Sequence, residues 1–166
     1  YYKLALPKSV IDSGALSSPQ LEAVAYCCQT HEEFLPFYHT TAKSLSKLPS
    51  TGTAAAITHE KLRKGFFLGD GAGVGKGRQL AGILRENWAR GRRRHIWISA
   101  STDLHLDARR DLDDIGATFI SCFKAPTLVK GKITEGDGVF FSTYSGLISS
   151  FRPGGRKKPI RKVDVL

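Results

Sequence analysis

The clearest hydrophobic period lies in the middle of the chain. Leu80, Ile83, Leu84 and Trp88 recur at helical intervals, and Gly91 supplies a natural C-terminal stop. Just before this helix, Phe66-Phe67-Leu68 is a short apolar run that predicts a strand covered on both faces. After it, His95-Ile96-Trp97-Ile98-Ser99 predicts a second strand. Thr102 or Asp103 then caps a helix carrying Leu104, Ala108, Leu112 and Ile115, which Gly116 ends. Residues 118–123 and 139–143 predict two further strands. Strands alternating with helices in this way imply an α/β fold with parallel strands and crossover helices.

Upstream the pattern is sparser. Residues 1–15 show no period. Ser17-Ser18-Pro19 reads as a helix start, with a hydroxyl cap and a proline in the first turn. Leu21, Val24, Ala25 and Cys28 follow at i, i+3, i+4 and i+7, and the pattern fades near Phe34-Leu35-Pro36. Residues 37–64 hold no sustained period and read as a loop or insertion, with a short helix around 54–62.

Composition narrows the class. A chain of 166 residues, 41% hydrophobic, is enough for one core and too apolar for a disordered segment. No apolar run approaches the roughly 20 residues of a membrane span. No methionine is present, so the chain reads as a piece of something longer. Lys and Arg number 25 against 15 Asp and Glu, a net charge of +10. The excess is clumped at Arg90, Arg92, Arg93 and Arg94, and again at Arg152, Arg156, Lys157, Lys158, Arg161 and Lys162. Such clusters suit a polyanion, and equally a solvated basic surface; the second, after Pro153-Gly154-Gly155, also has the composition of a nuclear localisation signal. Cys27, Cys28 and Cys122 form no CxxC, and no histidine falls at metal-ligand spacing from them. The expectation is reduced thiols in an intracellular compartment and no metal held by the protein alone.

The chemistry concentrates in Leu68-Gly69-Asp70-Gly71-Ala72-Gly73-Val74-Gly75-Lys76-Gly77-Arg78. Between a strand and a helix, main-chain N–H groups and the positive end of the helix dipole converge on one point. Glycines let the backbone bend round an anion, and Lys76 at the helix start offers an ammonium to β- and γ-phosphates. A dinucleotide fingerprint needs glycine at i, i+2 and i+5, and no start in this string satisfies it. The phosphate-loop pattern G-x-x-x-x-G-K-[ST] fits with two departures: Asp70 takes the first glycine position and Gly77 the hydroxyl position. The second matters because that hydroxyl normally ligates Mg2+ beside the phosphates. The bland alternative is a tight turn that merely lets helix and sheet approach.

The stretch from Gly65 to Arg78 resembles the nucleotide-binding loop of the strawberry notch family, whose members are superfamily 2 helicase-like proteins. The resemblance extends to residues 16–24, 31–36, 81–83, 86–87, 97–104, 107–117 and 141–148. It implies a RecA-like P-loop NTPase core with a mostly parallel sheet, incomplete in these residues. The implied division is an adenine-side helix at 12–36, a loop or insertion at 37–64, a P-loop α/β core at 65–149 and a basic tail at 150–166. It implies that Gln20 reads adenine, and that Gly71, Ala72, Gly73, Val74, Gly75, Lys76, Gly77 and Arg78 bind ATP with Mg2+. Ser99, Ser101, Thr102, Thr143 and Tyr144 stand where related helicases touch the nucleic-acid backbone; singly, each is as well explained as an ordinary capping hydroxyl. The family already carries glycine at the position of Gly77. Gln79 departs from relatives that tend to have a hydroxyl residue there, and the 37–64 stretch is longer than the family's link.

The family's acidic box would follow the strand ending at Thr143-Tyr144 and is not found; Arg161–Leu166 would be the strand leading into it. The second motor domain with its arginine finger is not found either. These residues are therefore expected to bind nucleotide weakly and to hydrolyse it negligibly. Trp88 and Trp97 read as core; Asp111, Asp113 and Asp114 have the makings of a carboxylate metal cluster, but three acids late in a surface helix more often read as solvated. The complete protein would be an ATP-dependent helicase-like motor acting on nucleic acid or chromatin in the nucleus, with transcription regulators as further partners and no membrane. Two other classes remain open: a non-catalytic, degenerate binding module that uses its basic surface, and a small nucleotide kinase.

Overall fold

The computed structural model describes residues 2–35, 63–124, 128–129, 132–133, 136–151 and 160–161. The expected helix near 54–62 and most of the two basic and insertion segments (37–62, 152–159, 162–166) lie outside these. Helix α1 spans Lys8–Asp12, α2 Ser18–Thr30, α3 Lys76–Ala89, α4 Leu104–Asp114 and α5 Tyr144–Ile148. Strands β1 (Arg94–Ser99), β5 (Gly138–Thr143) and β2 (Cys122–Lys124) form a three-stranded parallel sheet in the order β1-β5-β2. Two short antiparallel pairs, β3 (Leu128–Val129) with β4 (Lys132–Ile133) and β6 (Ser150–Phe151) with β7 (Ile160–Arg161), stand apart from it. The expected α/β class with parallel strands is the observed one.

Helix starts and stops follow the local chemistry. At the start of α2 the Ser17 N–H donates to Gln20 Oε1 at 2.9 Å, so a side chain satisfies a main-chain group the helix itself leaves open. Helices α3 and α4 both end in the same left-handed glycine motif. Gly91 (φ 83°) and Gly116 (φ 67°) donate to Trp88 O and Asp113 O, and the next residues donate to Asn87 O and Leu112 O. That second motif consumes residues 116–120, with Ile120 N on Ala117 O. The predicted strand at 118–123 is accordingly displaced and shortened to β2.

One face of the sheet is covered. Register places His95, Val139 and Cys122 side by side, then Trp97, Phe141 and Lys124. Helix α4 packs on this face: His105 meets the Phe141 ring edge-on at 5.3 Å, while Leu112, Ile115 and Ala117 join Val139 in the core. Trp88 and Trp97 are partly buried against that core, as expected. On the other face Ile96 and Ile98 are 47% and 41% exposed, while Phe140 between the outer strands is buried under Phe123 and Arg94. Helix α2 packs on α3 through Val24, which closes on Gly82 together with Leu16 from just before α2; a Cβ at Gly82 would lie 2.9 Å from Val24 Cγ2.

Three expectations fail on packing. Phe66-Phe67-Leu68 forms no strand, and Phe67 is 88% exposed. An apolar run becomes a strand only beside a ladder, and none of the described residues pairs with it; the Phe67 ring instead lies against Gly69. The buried stripe of α3 is Gln79, Ala81, Gly82, Ile83 and Glu86, with Leu80 39% exposed. Two polar residues occupy the inward face because both have partners there. Glu86, fully buried, accepts from Tyr2 Oη (2.9 Å), Ala5 N (2.8 Å) and Arg90 Nε (2.7 Å), and so fastens residues 2–6 to α3. In α4, likewise, Leu104 turns outward while Ala108 and Leu112 are buried.

Residues on either side of 36–62 lie together. Phe34 and Arg63 form an antiparallel bridge, Lys64 N donates to Glu33 O at 3.0 Å, and the Lys64 ammonium pairs with Glu33. The segment therefore leaves and re-enters at one point, an arrangement in which extra length costs little.

Truncating Leu112 to alanine removes a fully buried side chain and should cost about 2–5 kcal/mol in urea unfolding. Glu86→Ala strands a guanidinium and a main-chain N–H and should cost about 3 kcal/mol by the same measurement. Burial lowers the pKa of His95 below 6.5, as it does for His31, with the Arg92 charge acting in the same sense on both. The unfolded chain then binds protons first, so their contribution is whole above about 6.5 and declines as the pH falls below it. The urea midpoint should drop between pH 7 and 5, and His31→Gln with His95→Gln should flatten that slope.

Candidate nucleotide-binding site

The glycine-rich turn from Gly69 to Gly77 opens directly into α3. Gly73 (φ 82°) and Gly75 (φ 77°) take left-handed conformations that any other residue would find strained. The backbone bend this allows leaves the main-chain N–H groups from Gly71 to Arg78 without a protein acceptor among the described residues. They cluster at the positive end of a helix of 14 residues. Lys76 does not point away: its Nζ donates to Asp70 O (3.0 Å) and Gly71 O (2.7 Å), folding across the loop.

Two glutamines brace the loop. Gln20 on α2 donates from Nε2 to Val74 O at 3.0 Å, while its Oε1 accepts from Ser17 N. Gln79 on α3, only 2% exposed, donates from Nε2 to Asp70 Oδ2 at 2.8 Å. Gln20 thus lies against the loop with both ends of its amide engaged, and reading adenine would mean exchanging one of these bonds. Gln79 is a structural tie to the loop; its Oε1 has no partner among the described residues.

Beside the loop is an open cleft of about 470 Å³ lined by Gln20, Gly73, Val74, Gly75, Arg78, Arg110 and Asp111. That lies within the roughly 300–1,000 Å³ common for small-molecule sites. Arg78 forms an ion pair with Asp114 at its edge. Arg110 and Asp111 come from α4; the sequence marks Asp111 only as one of three acids with Asp113 and Asp114, and assigns no role to Arg110. Asp111 is not solvated: its side chain is 15% exposed, and burial raises its pKa above the ordinary carboxylate range, opposed by the Arg110 and Arg78 charges. Asp114, with a side chain 36% exposed, is engaged by Arg78, and Asp113 accepts from Arg109 Nη2 at 2.6 Å. The signal for Asp111 lay in Gly77, where an absent side chain leaves room for a neighbour.

This arrangement fits the anionic part of a nucleotide: free amides, an ammonium within reach and a cleft alongside. It fits the accompanying Mg2+ less directly, since neither Gly77 nor Gln79 carries a hydroxyl. Among the described residues no group of three or more His, Cys, Asp or Glu is placed to hold a metal.

The residues proposed for nucleic acid lie elsewhere. Ser99 and Thr143 are register partners at the carboxyl ends of neighbouring parallel strands, so Ser101, Thr102 and Tyr144 gather at one sheet edge. None of them lines the cleft. Thr143 is 6% exposed and its hydroxyl caps α5 by accepting from Gly146 N at 3.0 Å; Ser101 Oγ accepts from Asp103 N. Tyr144 is 64% exposed. The arginines of the first basic cluster have neighbours within the fold but stay at its surface. Arg90 serves Glu86 and lies over the Tyr2 ring, Arg92 bonds Asn87 and Glu32, Arg93 lies over Trp88, and Arg94 over Phe140. No described helix is long and apolar enough to cross a membrane.

Comparison with known proteins agrees with this geometry. A family model described as "P-loop containing NTP hydrolase pore-1" matches residues 1–163. Protein strawberry notch homolog 2 of Homo sapiens is 44% identical over 157 residues, 95% of this chain and 10% of that protein. Protein strawberry notch of Drosophila melanogaster is 44% identical over 89% of this chain and 8% of its own length. Protein FORGETTER 1 of Arabidopsis thaliana is 40% identical over 92% of this chain and 10% of its own. The chain thus spans about a tenth of these relatives. No solved structure matches it. With its glycine loop, its parallel sheet and these relatives, the chain belongs to the strawberry notch family and carries a P-loop NTPase-like domain.

Proposed function

We propose that this chain binds ATP at the glycine loop and forms part of the nucleotide-binding domain of a helicase-like motor. The observation that carries the reading is the unpartnered run of main-chain N–H groups from Gly71 to Arg78, gathered at a helix start with Lys76 folded over it. A triphosphate supplies the acceptors these groups lack, and Lys76 then exchanges two loop carbonyls for phosphate oxygens. Gln20 is the candidate for the base in this reading, and it couples α2 to the loop through Val74.

In the complete protein, ATP binding and hydrolysis would be coupled to work on nucleic acid or chromatin, in transcriptional regulation and in the nucleus. Ser101, Thr102 and Tyr144 at the sheet edge are the backbone-contacting candidates in these residues. A scaffold that worked only through basic charge is less favoured, because Arg90 and Arg92 are already committed to internal partners.

Titration with a fluorescent ATP analogue should show saturable binding. Lys76→Ala should weaken it by about 10- to 100-fold, the worth of a charge-assisted hydrogen bond of roughly 1.5–3 kcal/mol. Equal binding by the wild type and the variant would end the reading. Nucleic-acid binding by the full-length protein should fall steeply between about 50 and 200 mM salt. A flat salt response would remove the phosphate-contact role.

A further inference from the structure

The hydroxyl position of the phosphate loop is filled from another helix. A Cβ built on Gly77 would lie 2.0 Å from Asp111 Oδ2 and 3.0 Å from its Cγ. The space that serine or threonine would take is therefore held by a carboxylate, with its oxygen about where a side-chain oxygen of residue 77 would begin. The same side chain lines the cleft with Gly73, Val74 and Gly75. Its Oδ1 is 3.8 Å from Arg110, and Oδ2 has no protein donor among the described residues.

From this geometry we propose that Asp111 is the protein ligand for the Mg2+ that accompanies the nucleotide, taking the place of the hydroxyl that Gly77 lacks. The inference rests on the ATP-binding reading above. Mg2+ is commonly held by one or two carboxylates together with substrate phosphates, and keeps several of its waters. Asp111 supplies a carboxylate at the right edge of the loop. Glycine at 77 is then a requirement rather than a loss, because any side chain there would drive Asp111 out.

The test separates metal from phosphate. Binding of a fluorescent ATP analogue to the full-length protein is measured in EDTA and in Mg2+, and bound Mn2+ is followed by electron paramagnetic resonance. Asp111→Asn should reduce affinity in Mg2+ at least tenfold, leave affinity in EDTA within about twofold of wild type, and release Mn2+. Asp111→Ala combined with Gly77→Ser moves the oxygen back to the loop and should recover most of the Mg2+ dependence. If Asp111→Asn tightens binding equally in both conditions, the carboxylate only repels phosphate and the proposal is wrong. Unchanged binding in both conditions overturns it as well. Should Asp111→Asn lose binding in EDTA too, the double variant decides: recovered Mg2+ dependence supports the assignment, and none rejects it. Loss of the ATP-binding reading looks different, because the wild type would then be indifferent to Lys76→Ala in either buffer.

Discussion

Everything in the site depends on keeping a turn of unpaired amides open. An exposed main-chain N–H is cheap in water, but several facing one point repel one another and invite the loop to collapse onto its own carbonyls. Here the glycine turn is clamped from both sides instead. Gln20 holds Val74 from α2, and Gln79 holds Asp70 from within α3. The clamps use carbonyl and carboxylate acceptors of the loop and leave its donors unspent. Lys76 occupies two of the loop's own carbonyls, Asp70 O and Gly71 O, so that these acceptors are not open to the amides. A ligand that brings its own negative oxygens can displace that lysine without disturbing either clamp.

Much of the scaffold was legible from the sequence, for reasons tied to particular residues. Strands β1 and β5 announced themselves by their apolar residues, and helices α3 and α4 by the glycines that end them: Gly91 and Gly116 take left-handed conformations that little else tolerates. The phosphate loop was legible for the same reason, since its backbone cannot bend as it does without Gly73 and Gly75. What escaped was polar burial. Apolar spacing pointed to Leu80 on α3, yet the inward face carries Gln79 and Glu86, whose burial is tolerated only because a loop carboxylate and residues 2–6 satisfy them. Their partners are separated by nine residues in one case and by more than eighty in the other, so no local period records them. Phe66-Phe67-Leu68 failed in the opposite way: an apolar run shows what could be buried, whereas the strand depends on a neighbour.

Asp111 shows a further limit of reading by motif. Three acids near the end of a surface helix have the composition of a solvated tip, and Asp113 and Asp114 do sit among surface arginines. Asp111 differs because α4 crosses α3 at Gly77, where the missing side chain lets the carboxylate reach the loop. A departure from a motif at one position was thus tied to a residue 34 positions later. Considered alone, Gly77 looks like a defect; beside Asp111 it is a complementary surface.

Placing an acid on α4 rather than a hydroxyl on the loop also changes what the cleft is joined to. A hydroxyl at 77 would share the rigid body of α3. Asp111 instead belongs to a helix of 11 residues, roughly 16 Å long, whose first turn follows Ser101 and Thr102 directly. That helix bears on β2 through the His105 ring nitrogen near Cys122 O and on β5 through Phe141. Whatever loads Asp111 therefore acts on an element that ends at the sheet edge where Ser99 and Thr143 stand side by side. If Asp111 holds the metal as proposed, α4 would join the cleft to that sheet edge as one continuous helix.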